Sequence, residues 1–242
     1  MFEPQMISFG PLFLPLSWIV LLLLSLMTVW LAERWSPARE RIKGTVSDWL
    51  PTVLLIVLFV YKFGPALLNF KQILQNPMYL LYGSGTGSSL AVAVLLAGSW
   101  LGWKVMRAPD SWEVADVVAV AALLTTVAYF ALFRDYGATT TGWWGWRGAD
   151  YRYHPVNVYR LVLLLPLLIW VLKSWKRLDS GRAFVLTVLW IGIVITATSF
   201  FDSQFSSVML GLTPVQWAGI LLAVLGLVFN MVIDHQRTIS SK

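Results

Sequence analysis

Seven apolar blocks, separated by short charged or glycine-rich connections, leave few folds open to this chain. They run roughly over 11–32, 49–70, 87–103, 117–133, 157–172, 183–201 and 214–233. A helix crosses a ~30 Å hydrocarbon layer with about 20 residues at ~1.5 Å rise each. The third, fourth and fifth blocks are short and borrow residues from their connections. Segments such as LLLLSLMTVW and LLAVLGLVFN are apolar on every side, whereas the strands of a membrane barrel alternate apolar and polar residues. The pattern predicts an all-α fold, a polytopic membrane bundle of about seven transmembrane helices. It forms one integral domain over 1–242, with an outer-leaflet segment 71–89 and an outer loop 134–156 as subregions. Composition closes the alternatives: the chain is 58% hydrophobic and 12% charged, where soluble domains are about 25% charged. Disorder requires the opposite balance.

Cations set the expected orientation. Arg34, Arg39, Arg41 and Lys43, then Lys104 and Arg107, then Lys173, Lys176, Arg177 and Arg182, and finally Arg237 and Lys242 lie on one side. Against these twelve, Lys71, Arg134, Arg147, Arg152 and Arg160 lie on the other, with Lys62 inside a span. The positive-inside rule then places the N-terminus outside and the C-terminus in the cytoplasm. The net charge of +6 is a topology and anionic-lipid signal, and no nucleic-acid partner is expected. The start of the chain carries Glu3 and no cation before a long apolar block, which predicts a permanent span in place of a cleaved signal.

The chain has no Cys, so disulfides, thiolate catalysis and Cys-based metal sites are closed to it. Two histidines without a carboxylate cluster predict no metal site, and no cofactor is implied. No Asp or Glu stands at mid-depth in a span, which argues against a proton pump or cation channel. A small-solute transporter is also disfavoured, since no inverted repeat or pair of broken helices is evident.

Polar information concentrates on the outer side. The loop RDYGATTTGWWGWRGADYRYHPV is dense in aromatics, glycine and cations. Its tryptophans read either as an interfacial belt or as part of a binding surface. Gly83 to Ser89 form a Gly/Ser/Thr turn leading into a helix start, read as a turn with a cap or as a weak anion site. Lys62, in the outer half of the second span, either snorkels to the interface or meets a phosphate. Asn69 closes that span, and Arg160 opens the fifth on the same side. His154 is the one histidine near these groups; it reads as a hydrogen-bonded structural group or as a base.

Tyr136-Gly137, then Trp143-Trp144-Gly145, then His154-Pro155-Val156-Asn157-Val158-Tyr159 resemble bacterial prolipoprotein diacylglyceryl transferases. Phe200-Phe201, Gly211-Leu212-Thr213 and Gln216-Trp217 are similar to that family's last outer loop and final span, and Lys62-Phe63 to Asn69-Phe70 to its second helix. The resemblance implies a multi-pass protein of the bacterial cytoplasmic membrane. It implies transfer of the diacylglyceryl group of phosphatidylglycerol to a lipobox cysteine, in lipoprotein biosynthesis. Its partners would be an anionic, phosphatidylglycerol-like phospholipid and a prolipoprotein lipobox peptide. His154 would be the catalytic base or orienter, with Lys62, Arg134, Arg147, Arg152, Arg160, Tyr136, Gly137 and Asn69 as substrate-binding residues. Three stretches depart from the family's pattern. Its His-Gly-Gly falls on Ser89-Leu90-Ala91, its Gly-Arg-x-Gly-Asn-Phe on Thr125–Phe130, and the Arg expected after Phe201 is Asp202. Two expectations therefore stand side by side: a divergent transferase, or a catalytically silent relative that binds phospholipid, lipoprotein precursors or a membrane partner.

Overall fold

The computed structural model describes residues 1, 6–9, 12–68, 85–202 and 210–240. Asn69, Lys71, Gly83 and Ser84, and with them most of the expected outer-leaflet segment, lie outside the described residues. A short antiparallel hairpin, β1 (Met6–Phe9) and β2 (Leu12–Pro15), precedes α1 (Leu16–Trp35). The first span therefore begins at Leu16, after Pro15, and not near residue 11. Then come α2 (Arg39–Ile42), α3 (Thr45–Leu68), α4 (Gly87–Met106) and α5 (Ser111–Leu132). Three strands, β3 (Tyr136–Thr140), β4 (Trp146–Arg147) and β5 (Arg152–Pro155), lead into α6 (Val156–Ser174). The chain ends with α7 (Arg182–Thr198) and α8 (Pro214–Ser240). Among the described residues, seven helices, all but the short α2, are long and apolar enough to cross a membrane. This is the architecture of an integral, multi-pass membrane protein.

The fifth helix is the hub of the bundle, packing against α1, α3, α4, α6 and α7. Its sequence explains the position, because Val114, Ala115, Val117, Ala119, Val120, Ala121 and Leu123 bury every face, as expected of a helix apolar all round. Small side chains let neighbours approach. Thr28 of α1 and Thr125 of α5 share a hydroxyl–hydroxyl hydrogen bond of 2.6 Å inside the bundle, the kind of interhelical contact that favours association in lipid. The last two helices pair through glycine. A Cβ on Gly192 would collide with the Gly219 carbonyl and the Ala223 backbone, and one on Gly219 with Thr196.

The bundle has two unlike ends. One gathers the basic connections around α2, 107–110 and 175–181, where buried carboxylates cap helices that are not their own. Glu33 of α1 accepts N–H bonds from Val46 and Ser47 at the start of α3 (2.8 and 3.0 Å). Asp116 of α5 accepts from Gly181 and Phe184 at the start of α7 (2.7 Å each). At the other end the loop 134–156 folds into a three-stranded antiparallel sheet of order β3-β5-β4. Threonine and aromatic residues favour the pleated conformation, and the glycines between them allow the reversals.

Candidate functional site

The sheet end is organised by Asn157, wholly buried in the first turn of α6. Its Oδ1 accepts from the Asp135 N–H (3.3 Å) and the Trp146 indole (3.2 Å), while its Nδ2 donates to the Phe130 carbonyl (3.2 Å). One amide thus ties the end of α5, the entry to β3 and the strand β4 to α6.

Beside it, the motif His154-Pro155-x-x-x-Tyr159 acquires a geometric meaning. His154 stands next to last in β5, Pro155 ends the strand and caps α6, and one helical turn later Tyr159 presents its Oη 3.0 Å from His154 Nδ1. The Trp144 indole donates to the same Oη at 3.1 Å. With the Trp144 donation in place, Oη still either accepts from Nδ1–H or donates its own hydrogen to Nδ1, with the ring proton then on Nε2. A base at Nε2 requires the other tautomer, with Nδ1–H donating to the hydroxyl. Phe201 covers the pair, its ring 5.0 Å from His154 and 5.2 Å from Tyr159. Gly137 is glycine for a packing reason: a Cβ there would strike the Phe201 carbonyl and Val156. Tyr136 stacks edge-on against Tyr153 at 5.8 Å.

Among the described residues, Arg134, Arg147, Arg152 and Arg160 share this end, each with its own surroundings. Arg160 has its guanidinium committed: Nη1 donates to Asp135 (2.7 Å), Nη2 to both oxygens of Asp202 (3.2 and 3.3 Å) and Nε to Thr198 (3.1 Å). Two carboxylates facing one guanidinium carry a net negative charge when both are ionised. Arg134 lies over the Trp146 ring at 4.8 Å. Arg152 donates to the Trp143 carbonyl at 2.5 Å, and Arg147 is exposed on the short edge strand β4. Lys62 is placed apart, on α3, whose main neighbour is α4. The turn before α4 is a capping box, in which Thr86 and Ser89 satisfy each other's backbone N–H (3.2 and 2.8 Å).

What the sequence reading missed is an apolar cavity of about 530 Å³ among α1, α3, α4 and α5. Trp18, Leu54, Val57, Leu90, Thr126 and Phe130 are among its walls, and among the described residues no charged side chain lines it. Its lining residues Leu21, Leu58 and Val94 are exposed on the outer faces of their helices, so it opens sideways to the bilayer. Phe130 divides the two regions, lining the cavity while its ring carries the Arg160 guanidinium at 5.4 Å. No family model matches this chain, and no curated protein matches it in sequence.

Proposed function

We propose that this chain is a phospholipid-binding membrane protein, related in plan to the diacylglyceryl transferases but catalytically silent. It holds a lipid of the outer leaflet by an acyl chain. The observation that carries this reading is where the three departures from the family pattern fall. Leu90, from the first, and Thr126 and Tyr129, from the second, line the apolar cavity. Asp202, the third, closes on Arg160. The changes at Ser89, Thr126 and Asp202 each remove a cationic or ionisable group from a would-be phosphate cradle, while Leu90 and Tyr129 add bulk to a laterally open chamber whose described walls carry no charge. Its size is within the ~300–1,000 Å³ of small-molecule sites. A phosphate approaching Arg160 would meet two carboxylates first, and a transferase needs preorganised positive groups at that point.

In a membrane with the basic end in the cytoplasm, this chamber faces the outer half of the bilayer. The purified protein should retain phospholipid with little regard to headgroup. Leu90→Trp and Val57→Trp, which fill the chamber, should empty it of lipid. Release of glycerol phosphate from phosphatidylglycerol, with a lipobox peptide as acceptor, would end this reading.

The His154–Tyr159 hydrogen bond, in the tautomer where Nδ1–H donates to the hydroxyl, supports a second reading, a divergent transferase in which His154 Nε2 accepts the thiol proton of the peptide. His154→Ala should then abolish thioether formation while membrane insertion persists, and the chain should rescue a strain depleted of its own transferase.

A further inference from the structure

The opposite end of the bundle carries a cationic, aromatic-rimmed cavity. α1 and α6 both pack on α5, and at their C-terminal ends they flank a recess of about 750 Å³. Arg34 and Arg39 enter it from one wall, Lys173 and Lys176 from the other, with Trp35 and Trp175 between them. Trp175 is buried and belongs to the apolar core that includes Val29, Ala32, Val117 and Val171, so the inner wall is rigid. Trp35 is about half exposed and stands at the interfacial depth that tryptophan favours. A second recess of about 380 Å³ shares Arg34 and Arg39 and adds Lys43.

The charges are not spent on one another. Among the described residues, no carboxylate pairs with Arg34, Lys173 or Lys176, and Arg39 meets only Glu40, at 3.9 Å and largely in solvent. Glu33, the one acid bordering either recess, is occupied in capping α3. Cations in the last turn of a helix answer its dipole, but a dipole does not require cations of two helices to face one cavity. Elsewhere at this end the same residue types are engaged differently. Arg41 pairs with Asp110 and Glu113, Arg182 with Asp234 and Arg237 with Asp179; Arg107 lies over Trp103 at 4.5 Å, and Arg34 more loosely over Trp30 at 5.5 Å, a contact that leaves its charge uncancelled.

We infer that this recess is a binding site for the phosphodiester headgroup of an anionic phospholipid of the leaflet at the basic end. Four cations exceed the charge of one headgroup and suit a lipid over a neutral metabolite. Basic pockets between helices at the cytoplasmic side are suited to such headgroups, and the exposed Trp35 marks the interface where the glycerol would lie.

The test is lipid titration of the detergent-purified full chain, read by native mass spectrometry, with phosphatidylglycerol, phosphatidylcholine and millimolar inorganic phosphate as separate probes. Phosphatidylglycerol should bind in preference to phosphatidylcholine and resist competition by phosphate. The triple variant Arg34→Gln, Lys173→Gln, Lys176→Gln should weaken that binding roughly 100-fold, about fivefold per cation removed. It should keep the headgroup-indifferent lipid of the opposite end. Arg107→Gln, which removes charge from the same end outside the recess, should leave binding unchanged, and Lys173→Arg with Lys176→Arg should preserve it. Equal binding of phosphatidylcholine, displacement by free phosphate, or a weakening by Arg107→Gln as large as that of the triple variant would overturn the assignment.

Discussion

At the scale of single residues, Arg160 and Asn157 fix what the sheet end can do. Arg160 is shared between Asp135 and Asp202, so one positive charge faces two negative ones. Burial pushes the Asp202 carboxyl above its ordinary 3.8; Arg160 pulls it down and Asp135 pushes it up again, with a net rise. A group that holds its proton more tightly when folded favours the folded state at low pH. That contribution is lost as pH rises through the raised value. Stability measured against pH should therefore fall, relative to Asp202→Asn, just above the ordinary carboxylate range; parallel curves for the two proteins would refute this. Asn157→Leu leaves the Trp146 indole, the Asp135 N–H and the Phe130 carbonyl without their amide partner. Each such buried group costs about 1–3 kcal/mol, so thermal unfolding in detergent should move down by several degrees and Trp146 fluorescence should shift to the red. The motif around His154 was legible as a resemblance, but its hydrogen bond to Tyr159, across the junction of β5 and α6, was not. Nor were the acids that neutralise Arg160, because they lie 25 and 42 residues away and nothing local marks them as partners.

Among the elements, helix starts and helix pairs carry the specificity. Glu33 and Asp116 each satisfy backbone N–H groups at the start of a different helix. Asp116→Ala should cost about 0.5–2 kcal/mol, the ordinary worth of a helix cap. The loss should appear as faster amide exchange at Gly181 and Phe184 before any global unfolding. Gly219→Val forces α7 and α8 apart at their closest approach and should lower yield in the membrane more than Gly102→Val, at a glycine with open space around it. Helix positions could be read from hydropathy with errors of a few residues: 157–172 became Val156–Ser174, and 49–70 became Thr45–Leu68. The strands of the outer loop could not. With two to five residues each, they are too short for an alternation to declare itself, and their pairing depends on where α5 and α6 bring the ends of the loop.

For the whole molecule, the distribution of cations predicts which end faces the cytoplasm, and the absence of native Cys makes the prediction simple to check. Ala149→Cys on the sheet end should react with a membrane-impermeant maleimide in intact cells, and Ser180→Cys should react only after permeabilisation. The reverse pattern would exchange the leaflets assigned to the two cavities. Hydropathy blocks and their flanking charges were enough to specify seven spans, because burial of apolar surface and the cost of unpaired backbone groups in lipid act on every residue along the chain. The chambers required coordinates. Whether a cation binds a ligand, stacks on an indole or is cancelled by an acid depends on which side chains distant helices bring within a few ångströms, and helix-to-helix packing sets that proximity. Arg160 and Lys173 look alike in the sequence; their neighbours in space give one an internal counter-charge and leave the other facing an open, positive recess.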